Sequence, residues 1–222
     1  MERLVCLLIG YVFGMFQTAF IYGKIHHMDI REHGSGNAGT TNALRTMGWG
    51  AGFTVFIGDT VKAVLSALVV RLIYKSSHPD SITMLLLYSG IGVVLGHNFP
   101  AYLKFKGGKG IAATAGVILS LGCWQLILAC FVTFFVTLFI SKHVSTSSLA
   151  FVTMGFAGFV LFSQLGYMGG LGTKAVVIEA YIVMFVFMAM AFVRHKENIK
   201  RLINGTESVF TLKGHRKEDI HE

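Results

Sequence analysis

The sequence predicts an all-α polytopic membrane protein of about seven transmembrane helices, with its N-terminus outside and its C-terminus in the cytoplasm. Three observations predict it. Hydrophobic residues make up 54% of the 222 and charged ones only 14%, for a mean hydropathy of +0.65, well outside the balance of a soluble domain. Apolar runs long enough to cross about 30 Å of hydrocarbon recur along the chain, separated by short polar stretches. Basic residues gather on alternate interruptions, as the positive-inside rule requires.

Taken in order, the spans are expected near 4–25, 49–74, 82–101, 110–122, 125–141, 148–167 and 174–193. The first run has no basic leader and no small-x-small cleavage site, so it reads as a retained span. The fourth is short, and 110–141 could instead be one long tilted helix, but Gly122, Trp124 and Gln125 make a plausible tight turn with an interfacial aromatic. One set of loops holds Lys24, Arg31, Arg45, Lys104, Lys106, Lys109, Lys142 and the basic tail after Val193, while the other holds Arg71, Lys75 and Lys174. The first set is therefore assigned to the cytoplasm. The whole of 1–222 reads as a single integral membrane domain with no soluble module.

Cys6, Cys123 and Cys130 all lie in apolar runs, which argues against a metal site or a disulfide framework; no metal and no cofactor are expected. The 19 Lys and Arg against 11 Asp and Glu, a net +8, point in a membrane chain to anionic headgroups or an anionic substrate rather than to nucleic acid.

Four cytoplasmic stretches carry the chemistry. The first, REHGSGNAGTTNALRTMG at 31–48, leaves backbone amides uncovered among small residues, while Ser35, Asn37, Thr40, Thr41 and Asn42 add short-range hydrogen bonds. That is how an anion nest is built. If a helix starts near Thr41, Arg45 shares a face with Asn42 and can fork onto phosphate oxygens. A flexible capped loop explains the stretch equally well.

In the second stretch, GHNFPAYLKFKGGKG at 96–110, Lys104, Lys106 and Lys109 surround Gly107 and Gly108 just before a helix start. Glycines admit close backbone approach and the helix N-terminus adds its dipole. The nucleotide P-loop spacing is absent, so ATP or GTP is not implied. A topology signal alone explains the lysines but not the paired glycines. His97 and Asn98 could orient a substrate or merely satisfy a helix end. In KHVSTSSLAF, 142–151, the hydroxyls of Ser145, Thr146, Ser147 and Ser148 are expected to cap the sixth span. RHKENIKRLINGTE, 194–207, places His195 and Asn198 on one helical face, with Glu207 able to brace the basic loops; a basic helix lying on anionic lipid is the plainer alternative. Within the spans, Asp59 and Lys62 are spaced to neutralise each other, and Glu179 has no local partner.

SGNAGTTN with Arg45, GHNFPAYLKFKGGKGIAATAG and RHKENIKRLINGTE together resemble the three signature blocks of the bacterial acyl-phosphate:glycerol-3-phosphate acyltransferases, the PlsY family. VSTSS (144–148) resembles that family's serine turn, and DTVK (59–62) its intramembrane acidic–basic pair. Thr40 and Thr146 depart from the usual alanine and leucine. The resemblance implies transfer of a fatty acyl group from acyl phosphate to the sn-1 hydroxyl of glycerol 3-phosphate, giving lysophosphatidic acid and phosphate, at the cytoplasmic face of the bacterial cell membrane. It further implies contact with membrane lipids, no nucleic-acid partner and activity as a monomer. Carried over, Ser35, Arg45, Lys104, Ser145, His195 and Asn198 fall around glycerol 3-phosphate. Gly36, Asn37, Gly39, Thr41, Asn42, His97, Lys106, Gly107, Gly108 and Lys109 fall around phosphate, and Glu207 braces.

The alternative from another class is an organophosphate transporter, which also needs cationic phosphate sites; the repeated halves and midplane site usual there are not evident. No His is followed by Asp at the HxxxxD spacing, which argues against that type of acyltransferase.

Overall fold

The computed structural model describes residues 1–210. The rest of the basic tail, with the C-terminus assigned to the cytoplasm and the end of the 1–222 domain, lies outside the described residues. The described chain is a helical bundle: α1 (Glu2–Met15), α2 (Thr18–Ile25), α3 (Thr40–Tyr74), α4 (Ile82–Asn98), α5 (Ile111–Ser120), α6 (Trp124–Ser141), α7 (Val144–Gln164), α8 (Lys174–Arg194) and α9 (Lys196–Ile203). Among the described residues, six segments are long and apolar enough to cross a membrane.

The expectation that an apolar helix over 110–122 crosses unaided is corrected. α5 has 10 residues, about 15 Å of helix, half the hydrocarbon thickness. It begins beside the middle of α3, where Thr60 Oγ1 donates to the Ala112 carbonyl (3.2 Å), and ends beside the last turns of α3, where Arg71 donates to the Ser120 carbonyl (2.7 Å). The chain still makes seven passages between the two ends of the bundle. The first half of the fourth is made by the glycine loop, which sinks into the protein beside α4.

The first span is also broken. Phe16 is extended (ψ 107°), and Gln17, fully buried, donates from its amide to the carbonyls of Gly14 (3.2 Å) and His97 (3.0 Å). Irregular backbone at this depth is tolerated because protein groups take up its polar atoms. The freed Phe16 carbonyl accepts from Lys62 Nζ at 2.7 Å. α3 starts earlier than its expected span because Gly48 (φ 85°) joins a short helix, carrying the first polar stretch, to the apolar part.

α4 is the hub, with every residue except Tyr88 and Leu95 buried. α1 packs on it through small residues: a Cβ at Gly10 would lie 1.9 Å from the Ser89 carbonyl oxygen, and one at Gly96 would lie 2.3 Å from that of Tyr11. Such close approach is how helices associate where lipid removes the hydrophobic drive. At the end away from the glycine loop, Glu179 does have partners, distant in sequence: Arg3 forks onto it (2.6 and 2.7 Å) and Tyr88 donates at 2.8 Å.

Candidate active site

All four polar stretches lie at one end of the bundle, and each is shaped by its own hydrogen bonds. In the first, Asp29 accepts from the Arg31 backbone (3.1 Å) and pairs with its guanidinium (3.0 and 2.7 Å), which holds the Asp29 carboxyl down to about 2. Asn42, buried in the first turn of α3, reaches back: its Oδ1 accepts from Ser35 N–H (2.9 Å), and its Nδ2 donates to the carbonyls of Ile30 (3.1 Å) and His33 (3.0 Å). Its amide is therefore engaged in shaping the loop. Ser35 and Gly36 are left exposed beside the N-terminus of α3, which opens at Thr40 after Gly39. Thr41 and Arg45 are exposed there too, Asn37 is half-buried, and Arg45 Nη2 donates to Ser208 Oγ (2.9 Å).

The glycine loop turns sharply at Lys104 and Phe105, both in the left-handed region (φ 54° and 60°). It then runs back along α4, with Gly107 N–H donating to the Asn98 carbonyl (3.2 Å) and Gly108 N–H to that of His97 (3.0 Å). No side chain fits here: a Cβ at Gly107 would lie 2.0 Å from the His97 carbonyl oxygen, and one at Gly108 would lie 2.1 Å from His97 Nε2. From the other side Arg194 clamps the loop, its Nη2 donating to the carbonyls of Gly107 (3.2 Å) and Gly108 (2.7 Å). Its role is not visible in the spacing, which marks it only as a charge at a span end.

The loop's three lysines diverge. Lys104 and Lys106 are exposed and, with Arg31 and Glu32, line an open cleft of about 550 Å³ walled by Phe20 and Tyr102. Lys109 turns inward and donates to Asn198 Oδ1. Burial, with Arg201, Arg194 and Arg45 nearby, brings its pKa down to about 8 against the pull of Glu207.

The expected capping role of the α7 hydroxyls is corrected. Ser147 and Ser148 donate to the carbonyls of His143 and Val144 in their own first turn, because a residue inside a helix finds the carbonyl four residues back before any free N–H. Ser145 is buried and lies against Glu207.

The fourth stretch closes the site. Gly205 (φ 68°) turns the chain after α9 so that Glu207 returns to accept from Asn198 Nδ2 (2.7 Å) and Arg201 Nε (2.7 Å). Burial raises the Glu207 carboxyl, but the bonds from Asn198 and Arg201, with Ser145 alongside, outweigh this and leave its pKa lowered. Lys109, Asn198, Glu207 and Arg201 thus form one continuous chain linking the glycine loop to the basic stretch. His195 is buried, which drives its pKa down to about 4. Its Nδ1 lies 2.8 Å from the Ala191 carbonyl, which can only accept, so the ring proton sits on Nδ1 and Nε2 keeps its lone pair.

Below this layer, Asp59, Lys62 and His97 are buried together: Lys62 Nζ lies 2.9 Å from Asp59 Oδ1 and 2.8 Å from His97 Nδ1. The helical spacing that pairs Asp59 with Lys62 was legible; the histidine, from another helix, was not.

The sequence profile of the family described as Glycerol-3-phosphate acyltransferase matches residues 4–205. The chain is 43% identical over 209 residues to a glycerol-3-phosphate acyltransferase of Alkaliphilus metalliredigens (strain QYMF), covering 93% of this chain and 95% of that one. It is 37% identical over 206 residues to one of Bacillus subtilis (strain 168), covering 90% and 94%. Among solved structures it resembles PlsY (YgiH), an integral membrane glycerol 3-phosphate acyltransferase, in its glycerol 3-phosphate form, with a TM-score of 0.80 at 29% identity over 95% of this chain and 96% of that one. The lysophosphatidic acid form of the same protein gives a TM-score of 0.77.

Proposed function

The chain belongs to the glycerol-3-phosphate acyltransferase family, and from that premise we propose that it moves a fatty acyl group from acyl phosphate to the sn-1 hydroxyl of glycerol 3-phosphate, at the cytoplasmic face of the membrane. The observation that carries this reading is the bridge from Lys109 through Asn198 to Glu207, which joins the glycine loop to the basic stretch at the cationic end of the bundle. It sets two phosphate-binding surfaces side by side. The α3 N-terminus offers its open backbone N–H groups, and the glycine loop its Lys106, to the phosphate of the donor. Arg45, Ser145, His195 and Asn198, with Lys104 and Ser35 at the rim, suit glycerol 3-phosphate.

In this reaction the glycerol oxygen forms a bond to the acyl carbon, the acyl carbon–phosphate oxygen bond breaks, and the hydroxyl proton leaves with the phosphate. Phosphate departs readily from a mixed anhydride, so positioning is the main task, worth up to about 7–11 kcal/mol when two reactants are held together. Two adjacent phosphates repel, and charge-assisted hydrogen bonds of about 1.5–3 kcal/mol each offset that repulsion. His195, with its Nε2 lone pair free and its pKa near 4, accepts the glycerol hydroxyl's hydrogen bond and orients it but is too weak a base to take its proton well at neutral pH. An oxygen of the departing phosphate takes it instead. His195→Ala is accordingly expected to raise the KM for glycerol 3-phosphate more than it lowers kcat. A collapse of kcat at unchanged KM would make His195 the base.

The membrane setting follows from chain energetics. Burying a fatty chain contributes about 0.8 kcal/mol per CH₂, so donor and product stay in the bilayer while glycerol 3-phosphate and phosphate exchange with water. The test is phosphate release by the purified protein supplied with palmitoyl phosphate, with and without glycerol 3-phosphate. Release that needs both and yields lysophosphatidic acid supports the reading. A folded sample that releases none, across donor chain lengths, overturns it in favour of organophosphate transport.

A further inference from the structure

The buried ion pair below the site has a task that charge neutralisation alone leaves unexplained. An ammonium has three donors and no acceptor. Lys62 meets three acceptors: the Phe16 carbonyl (2.7 Å), Asp59 Oδ1 (2.9 Å) and His97 Nδ1 (2.8 Å). The Phe16 carbonyl can only accept, and Asp59 Oδ1, which also takes the Thr18 hydroxyl at 3.1 Å, accepts as the carboxylate of an ion pair whose cation is the Lys62 ammonium. Each of the three N–H groups has one destination, and the one reaching His97 requires a lone pair on Nδ1. The His97 proton must then sit on Nε2. That nitrogen is the one packed against Gly108, where a Cβ would approach it to 2.1 Å and the Ala38 carbonyl oxygen to 2.8 Å. It lies where the glycine loop and the first polar stretch meet.

The geometry points to Lys62, seated by Asp59, as a positioning residue: it locks His97 into the Nε2–H tautomer and so presents a fixed donor beneath the Gly107–Gly108 turn, where the phosphate of the acyl donor is bound. The two site histidines are then set in opposite senses. His195 offers a lone pair at Nε2 because Nδ1 donates to Ala191, and His97 offers a proton at Nε2 because Nδ1 accepts from Lys62. Both settings come from partners outside the reacting groups, as second partners fix the ring orientation of metal-bound histidines. The break between α1 and α2 acquires a reason as well, since it frees the Phe16 carbonyl that takes the third lysine proton.

This inference rests on the acyltransferase reading for its kinetic consequence but not for the tautomer, and the experiment separates the two. Protein labelled with ¹⁵N at histidine is compared with His97→Gln to assign the His97 ring. In the unsubstituted protein Nδ1 is expected without a proton and Nε2 with one, in the absence of substrate. A protonated Nδ1 overturns the proposal whatever the enzyme's activity. Removing Lys62 alone would strand the Asp59 carboxylate, so the variant is Asp59→Asn/Lys62→Met, which removes both charges together. It is expected to mix the two tautomers and raise the KM for palmitoyl phosphate about tenfold while the KM for glycerol 3-phosphate stays within about twofold. Adding His97→Gln to it should bring no further loss beyond His97→Gln alone. Unchanged tautomer and KM, or losses that multiply independently, overturn the positioning role. Failure of the unsubstituted protein to transfer acyl groups overturns the activity reading instead and leaves the tautomer result standing.

Discussion

Lys104 and Lys109 belong to the same glycine loop, yet they sit in two different kinds of place. Lys104 is exposed on an open cleft with Arg31 and Lys106, and nothing among the described residues holds its ammonium. Lys109 is drawn inward onto Asn198, which is held by Glu207, which is held by Arg201. The open half suits ligands that exchange with water or lipid. The closed half is a set of dipoles and charges fixed before substrate arrives, which is where electrostatic stabilisation is most effective because little reorganisation remains. Damage to the closed half should therefore reach kcat/KM far more strongly than equal damage to the cleft.

The sharpest test of that difference is Gly108→Ala. The new Cβ would collide with His97 Nε2 and with the Ala38 carbonyl, so kcat/KM is expected to fall by about three orders of magnitude, or about 4 kcal/mol, in steady-state assays. Gly36→Ala, at the cleft, meets only the Arg31 carbonyl at 3.1 Å and a left-handed φ of 68°, and should cost about 1–2 kcal/mol. Equal losses at the two glycines would erase the distinction.

Next in size is Glu207→Ala. It leaves Asn198 and Arg201 without their common acceptor, whose side chain is only 6% exposed, and should lower Tm together with an activity loss of about a hundredfold. Glu207→Gln should recover part of the Tm, because an amide oxygen still accepts one of the two bonds.

A smaller effect separates the lysines. Lys109→Met is expected to reduce kcat/KM about thirtyfold, and Lys104→Met about fivefold, mostly through KM. The reverse order would make the cleft the centre of the chemistry.

The smallest effect is in pH. The Lys109 pKa is lowered by burial to about 8 from an ordinary 10.5, so between these values the unfolded chain holds a proton that the folded one lacks. Its contribution to stability therefore rises with pH across that window. Anion binding runs the other way, since it needs the ammonium. The KM for the phosphate substrates should climb as pH passes about 8, and this inflection should be absent in Lys109→Arg.

Much of this was legible in residues read alone. The apolar runs marked the spans to within a few residues wherever a helix had to meet lipid on its own. The four polar stretches announced themselves because glycine, hydroxyl and cation together have few uses at a membrane surface. The Asp59–Lys62 pair followed from helical spacing, and Glu207 stood out beside the basic stretch, where it accepts from Asn198 and Arg201. Other features were hidden because they depend on what packs alongside. The loop-shaping role of Asn42, the Arg194 clamp and the Arg3–Glu179 pair each join residues from separate segments. The α7 serines looked like caps until the helix began before them.

By itself, then, the sequence determined the class of solvent each segment meets, the end of the bundle that gathers cations, and the chemistry of its four polar stretches, since these follow from composition and local spacing. The tertiary structure decided depth and direction. It sank the glycine loop beside α4 by leaving α5 half a span long, turned Lys109 inward and Lys104 outward, and set the two histidines in opposite tautomers. The physical reason is that hydrogen bonds and ion pairs between distant segments form only after close helix packing has brought those segments together, and no local pattern encodes which partner will be there.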